Sequence, residues 1–486
     1  MSDTLSHLEP KSLWKNFELL NEVPRPSKKE ERVIAFAEEF GRSLQLETKT
    51  DKVGNVLIKK AATAGMESRK KIVLQSHLDM VHQKNNDTVF DFDKEGIKML
   101  VEGDWIKAEG TTLGADNGIG VAAIMALLES TDIPHPAIEA LFTIDEETGM
   151  TGAFGLEAGF LEGDILLNLD TEDDDELTIG CAGGINVSGR RNYEQVDRLE
   201  GFQSVKVNIS GLSGGHSGMD IHKGLGNANK LMNRLLFLIR EEMELQVHFI
   251  EGGGLRNAIP RESNAAFAVH QNEIDKCRAI AKSFENEIKA EYEVTDPNTS
   301  FSFEIIETED KCASVEFSTK LINAIYAIPA GIYRMSSTVE GMVQTSNNLS
   351  QVRLKEGKMA ILCLCRSSVD SEKYDEVRAI KSALSIVEAD AVIDGDYPGW
   401  TPKPKSDIVD IMQSLYIKMF EGQPHVTACH AGLECGIIGS NYPDLDMVSF
   451  GPNIRGAHSP DEKVQISSVQ KFWKFLLETL NRVPEK

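Results

Sequence analysis

The chain has 486 residues, more than one hydrophobic core usually serves, so two or more folding units are expected. Its composition, 41% hydrophobic and 26% charged, is that of an ordinary globular protein. The formal charge of −25, from 51 Lys+Arg against 76 Asp+Glu, argues against nucleic acid and membrane surfaces as partners, since both require a basic face.

The N-terminal MSDTLSHLEPKSLW lacks a basic segment leading into an apolar core. No apolar run approaches the roughly 18 residues of a membrane span, so a cytoplasmic protein is expected. Residues 1–187 read as alternating helix and strand: helices over 13–22 and 28–44, short apolar strands over 71–75, 137–144 and 165–169. That alternation predicts an α/β fold with a mostly parallel sheet flanked by helices. Near Gly189 the character changes, and Val205, Val207 and Ile209 alternate with polar residues as in a half-buried strand. A helix over 225–244, strands over 245–251 and 262–270, a helix over 272–292 and a strand over 300–306 complete a ferredoxin-like β-α-β-β-α-β order. From 316 to 394 the order partly recurs: helix, two strands turned at Glu356-Gly357, helix, strand.

Cys363 and Cys365 alternate along one of those strands. The seven cysteines, an odd number without a C-x-x-C pair, fit reduced, packed thiols. The Pro-rich stretch DYPGWTPKPKSD at 396–407 marks a boundary, followed by a helix over 406–420 and a strand over 446–450. The expected architecture is a discontinuous α/β domain, 1–187 joined to 397–486. An α+β domain with ferredoxin-like lobes, 188–396, is inserted into it.

Chemistry gathers at the ends of the α/β strands. KIVLQ runs into Ser76, His77, Leu78 and Asp79; AIEALFTI into Asp145, Glu146 and Glu147; DILLNL into Asp170; MVSFG through a short loop to His458. In open α/β sheets that edge is where sites form. Asp116 joins them from a glycine-bracketed turn before a helix. Singly these residues say little: an Asp before a helix is usually an N-cap, and a loop His is usually surface. The adjacent Glu146-Glu147 pair says more, because two carboxylates beside buried apolar sequence repel unless cations compensate.

His77, Asp116, Glu147, Asp170 and His458 suit two divalent metals, zinc, cobalt or manganese rather than calcium. One carboxylate would bridge, and each metal would take one His and one further carboxylate. Consecutive side chains diverge in extended chain, so one glutamate can ligate while the other serves as general base. Asp79 is placed to accept the second N–H of His77 and orient the ring. No phosphate loop, dinucleotide-binding fingerprint or nucleophile elbow is present. The acidic run DTEDDDE, 170–176, lacks a calcium-loop pattern and beyond Asp170 reads as solvated.

The stretches LQSHLDMVHQKNNDT, GTTLGADNGIG, TIDEETGMTGAFGL, GLSGGHSGMDIHKGLGNANKL, GGGLRNAIPRE, HAGLECG and GAHSPDE closely resemble the bacterial aminoacyl-histidine dipeptidases. These belong to the co-catalytic zinc aminoacylase/carboxypeptidase superfamily, and the resemblance runs over essentially the whole chain. It implies a catalytic domain carrying a two-metal site, most often zinc, and an inserted lid. His77 and Asp170 would ligate one metal, Glu147 and His458 the other, and Asp116 would bridge. Glu146 would be the general base and acid, with Asp79 orienting. A metal-bridging water, deprotonated with help from Glu146, would attack the carbonyl of short peptides, chiefly Xaa-His dipeptides including β-alanyl-histidine (carnosine).

On the lid, Arg366 would hold the substrate carboxylate, a role suited to a guanidinium's two-pronged geometry, and His216 would polarise the scissile carbonyl. Asn257 would contact substrate or form the turn before Ile259-Pro260, and Glu434 would receive the substrate amine. Lid closure would bring Arg366 and His216 onto the substrate. A homodimer is compatible, since in smaller relatives the lid dimerises and supplies the histidine in trans. Two rival readings are an amidohydrolase of N-acyl amino acids and a metal-binding protein without catalysis; the latter would be expected to have lost Glu146.

Overall fold

The computed structural model describes residues 5–307 and 311–486. They form two compact units: residues up to 180, 402–428 and 433–486 in one, residues 181–401 and 429–432 in the other. The expected junctions at 187/188 and 396/397 fall inside or at the end of strands Gly183–Asn192 and Asp390–Tyr397. Both strands pair within the second unit, and this places the division at 180/181 and 401/402.

The first unit is built on a sheet in the order Glu47–Thr50, Val56–Lys60, Ile138–Thr143, Ile72–His77, Ile165–Asn168, Asp446–Ser449, Glu176–Cys181, His425–Cys429. The expected parallel pairing holds for the four central strands, with Ile72 level with both Ile138 and Ile165, and Asp446 level with Ile165. The Val56–Lys60 and Glu47–Thr50 strands run antiparallel on one side. Continuous apolar sequence explains the centre: Ile72–His77, Ile138–Thr143 and Ile165–Asn168 are buried along their whole length. The helix Ala115–Glu129 is apolar all round and buried from Asn117 to Leu128, as a helix covered on every side must be. It lies against the Ile72–His77 strand and the Lys11–Asn21 helix. Gly120 allows the close approach, since a Cβ there would stand 2.8 Å from the Leu169 carbonyl oxygen.

In the second unit one continuous sheet joins two ferredoxin-like lobes. Its order is Ser300–Ile306, Phe202–Ser210, Ser263–His270, Leu245–Gly253, Val343–Lys355, Lys358–Ser367, Gly183–Asn192, Asp390–Tyr397. Numbered along the chain within each lobe, the strands of both follow the order 4-1-3-2, and the lobes meet where Leu245–Gly253 pairs antiparallel with Val343–Lys355. The first strand of the second lobe is Gly183–Asn192, so the first lobe is nested inside the second. This explains why the second lobe looks incomplete in sequence: its opening strand lies far upstream. The helices Ala228–Glu242, Ile274–Glu291, Val315–Ala327 and Asp370–Ser385 contribute buried side chains to this unit's core, with Leu235, Phe284, Leu321 and Ile380 fully enclosed. None of the seven cysteines is joined in a disulfide, and six of them are buried.

Candidate metal centre

His77 is the last residue of its strand rather than a residue beyond it, and it is 1% exposed. Its Nε2 faces Asp116 Oδ1 at 3.2 Å and Asp170 Oδ1 at 3.5 Å. Asp116 turns its other oxygen to the second imidazole, Oδ2 lying 3.3 Å from His458 Nε2, and Glu147 Oε2 lies 3.0 Å from the same nitrogen. Two clusters result, His77/Asp116/Asp170 and Asp116/Glu147/His458, sharing Asp116, and each is tight enough to hold an ion. Nearly every converging atom is an acceptor, and Glu147 Oε1 and Asp170 Oδ1 are buried without a hydrogen-bond partner. Such a set is costly to bury unless cations enter it.

The protonation behaviour points the same way. Burial opposes charging of His77, yet Asp170, Asp116 and Asp79 push its pKa well up. Hydrogen bonds donated to Asp116 and Glu147 push His458 up to about 11. Charged imidazoles would offset part of the surrounding negative charge, as a cation would. Burial and the neighbouring charges of Asp170, Glu434 and Glu147 raise Glu146 well above the ordinary carboxylate range. Of the ligand candidates, Asp116 is held below that range despite its burial, because both imidazoles bond to it.

Local structure fixes each of these groups. Asp79, fully buried, accepts the backbone N–H groups of Glu146 (3.0 Å) and Glu147 (3.3 Å) and the hydroxyl of Ser27 (2.8 Å). His77 Nδ1 donates to the Asp79 backbone oxygen at 3.1 Å, with the Asp79 carboxylate at 3.4 Å, which leaves Nε2 unprotonated on the ligand side in the neutral ring. Asp79 therefore positions the glutamate pair as well as the histidine. Asp145, in left-handed backbone with φ 55°, starts the turn that carries Glu146 and Glu147, and it binds Lys28, Thr148 and Thr151. His458 is also left-handed, with φ 64°, a costly backbone state for a residue with a side chain.

Two buried residues that sequence reading passed over complete the framework. Glu462 spans four successive backbone donors: Oε2 accepts from Leu113 (2.7 Å) and Gly114 (2.9 Å), Oε1 from Ala115 (2.7 Å) and Asp116 (3.2 Å). One carboxylate thus fastens the turn bearing Asp116 to the loop bearing His458. The Arg25 guanidinium donates to the backbone oxygens of Leu78 (3.1 Å), Asp79 (3.2 Å) and Gly114 (2.7 Å), tying the same turn to the end of the His77 strand. HSPDE places a carboxylate four residues after His458, but nothing local in the sequence shows that it turns inward. The acidic run after Asp170 is not solvated as expected. Its residues are half-buried, Asp174 pairs with Lys471 at 2.6 Å and Asp173 with Arg455, and burial pushes the Glu172 carboxyl up to about 8.

Glu434 is fully buried. Its Oε2 accepts from Gln75 Nε2 and Thr143 Oγ1, both at 2.6 Å, its Oε1 is unpartnered, and burial pushes its pKa up to about 8.

The other expected substrate residues lie on the second unit. Arg366 is 5% exposed, its Nη1 donates to the Tyr397 hydroxyl at 3.0 Å, and its Nε has no partner. His216 Nδ1 accepts from the backbone N–H groups of Gly218 (3.2 Å) and Met219 (3.0 Å), so its proton sits on Nε2. Burial and the Arg366 charge lower its pKa and keep the ring neutral. Asn257 is exposed next to His216, its backbone oxygen accepting from Ser217 at 2.7 Å across a short ladder that pairs His216 with Ala258. His430, from the HAGLECG stretch, joins this group: Nε2 meets Ser346 Oγ at 2.8 Å, and burial together with Arg366, His216 and His222 pushes its pKa down to about 3.

Two clusters of mixed imidazole and carboxylate ligands, joined by a shared aspartate at the C-terminal edge of a parallel sheet, define the class as a metallohydrolase. Residues 73–482 match the family described as Peptidase family M20/M25/M40, and the chain belongs to that family, whose members use divalent metal. It is 41% identical over 482 residues to the cytosol non-specific dipeptidase of Escherichia coli (strain K12), with 99% of each chain covered. It also matches the crystal structure of aminoacylhistidine dipeptidase from Vibrio alginolyticus at a TM-score of 0.96 and 42% identity, with all of both chains covered. The aminopeptidase PepT from Bacillus cereus shares the fold at 15% identity, with a TM-score of 0.57 and 98% of this chain and 99% of that one covered.

Proposed function

We propose that the protein is a two-metal dipeptidase, with His77 and Asp170 holding one divalent ion, Glu147 and His458 the other, and Asp116 bridging. The observation that carries this reading is Asp116 itself, with one oxygen 3.2 Å from His77 Nε2 and the other 3.3 Å from His458 Nε2. The donor set suits zinc, with cobalt and manganese as substitutes. When bound, the ions supply Lewis acidity, acidifying water and polarising the scissile carbonyl. Glu146 takes the proton from the attacking water and returns it to the departing nitrogen, a shuttle favoured by its raised pKa. His216, neutral and protonated on Nε2, donates to the oxygen where negative charge develops. Arg366, buried without a carboxylate partner, receives the substrate carboxylate, and its Nε is available for that contact. Asn257 contacts the substrate beside His216, and Glu434 Oε1 is the atom left for its amine.

The preferred substrates in this reading are Xaa-His dipeptides, β-alanyl-histidine among them. A broader dipeptide range is a second reading, supported by 41% identity to a relative named as non-specific. Protein loaded with zinc is assayed against β-alanyl-histidine, other Xaa-His dipeptides, dipeptides without histidine and N-acetyl amino acids. Cleavage of Xaa-His substrates at the highest kcat/KM supports the first reading, and similar rates across all dipeptides support the second. Faster turnover of N-acetyl amino acids than of any dipeptide overturns both.

A further inference from the structure

The second unit carries a concentration of positive charge that the proposed hydrolysis does not use. On a chain of net charge −25, a cavity of about 470 Å³ is lined by Arg190, Arg353, Lys355 and Lys358 around Ala360. Strand register puts these side chains on one face of the sheet. Arg190 and Arg353 both lie level with Ala360, whose methyl group leaves the space between them open. Lys355 lies directly opposite Lys358 in the hairpin. Like charges in register destabilise a strand pair; Arg190, Arg353 and Lys358 are exposed and Lys355 is half-buried, so water screens part of the repulsion and a bound anion would relieve the rest.

Resident carboxylates supply only part of that relief: Glu356 and Asp390 also line the cavity, but with Arg191 the lining still carries more cations than anions. Glu251 approaches Arg353 Nε at 3.6 Å and Lys355 Nζ at 3.4 Å, distances at which one carboxylate is shared loosely between two cations. Asp390 lies level with Arg190 but forms no ion pair with it, and among the described residues the side chains of Arg190 and Lys358 have no partner. Lys358 and Arg366 stand on the same face of one strand, eight residues apart, or roughly 26 Å at 3.3 Å per residue. This cluster is therefore separate from the Arg366 group.

We infer that this cavity is a binding site for a small oligophosphate anion. Two guanidinium groups and two ammonium groups match a chain of adjacent phosphoryl groups better than one carboxylate. No aromatic side chain lines the cavity, so recognition is of the charged chain and not of an attached base.

The test is calorimetric titration of the metal-loaded protein with sodium tripolyphosphate at about 100 mM NaCl, where surface attraction is screened beyond ~10 Å. Metal content is measured before and after. Parallel arms use citrate, the variant Arg190→Glu/Lys358→Glu, its milder form Arg190→Ala/Lys358→Ala, and Arg366→Gln. The expected result is one tripolyphosphate bound in the micromolar range, with citrate at least roughly tenfold weaker. Both double variants should weaken binding by roughly tenfold or more, and Arg366→Gln should leave it unchanged. The inference is overturned if binding survives both double variants, falls with Arg366→Gln, tracks loss of metal, is matched by citrate, or is absent.

Discussion

At the scale of single residues, the proposed metal centre rests on supporting carboxylates as well as on the ligand candidates. Asp79→Asn keeps the size of the side chain but turns an amide donor toward the N–H groups of Glu146 and Glu147 or toward His77 Nδ1. Metal affinity should fall by roughly 10–100-fold, measured by competition with a chromophoric chelator; unchanged affinity would mean that Asp79 does not position the ligands. Glu146→Gln separates chemistry from ligation. Its kcat should drop by roughly 10²–10⁴-fold while elemental analysis still finds the full metal content. A variant that keeps near-native turnover would remove Glu146 from the proton-transfer role. Among these residues the sequence was most informative about groups at strand ends, since a buried strand delivers its last side chain to a place fixed by the sheet. It was least informative about Arg25 and Glu462, most of whose partners are backbone atoms dozens to hundreds of positions away.

At the scale of elements, the turn 113–116 is the joint of the site. Gly114 has φ 70°, a left-handed conformation natural to glycine, and a Cβ there would press on Arg25 Nη2 at 2.5 Å. Glu462→Gln places an amide where the turn offers only donors, leaving at least one buried N–H group without an acceptor at a cost of about 1–3 kcal/mol. The expected outcome is a lower melting temperature together with reduced occupancy of the metals proposed to share Asp116, read by elemental analysis. Glu462→Gln with full metal occupancy would show that the turn holds its shape without the carboxylate. The helix that follows packs through Gly120, and Gly120→Val should cost about 1–3 kcal/mol by overpacking against the Leu169 carbonyl, seen as a lower urea midpoint.

At the scale of the whole molecule, the proposed ligand set makes metal and protons compete for one site. The His458 pKa rises from its ordinary 6.5 to about 11 in the metal-free fold. Its contribution to metal-free stability is therefore fully present below about 6.5 and is lost as pH rises toward about 11. If His458 ligates an ion as proposed, the ion replaces that proton in the loaded protein and the loss does not occur. The melting-temperature difference between loaded and chelated protein should widen from about pH 6.5 to about pH 9, with a shallow slope because the His458 side chain is 57% exposed and solvent screens it. A difference that narrows with pH would contradict this protonation scheme. Chelation should also abolish hydrolysis, with recovery on adding zinc.

The sequence by itself determined the alternation of helix and strand, the discontinuous α/β domain and the acidic and imidazole side chains at its strand ends. Periodicity and burial are local properties, and a parallel strand has one C-terminal edge. Only the tertiary structure decided that one oxygen of Asp116 faces each imidazole, that Asp79 holds two backbone amides besides His77, and that Glu172 and Asp174 turn out of solvent. It also decided that the second lobe begins at Gly183, upstream of the lobe nested within it. These depend on which distant segments come into register, and hydrogen bonds between backbone and remote carboxylates leave no periodic trace in the chain.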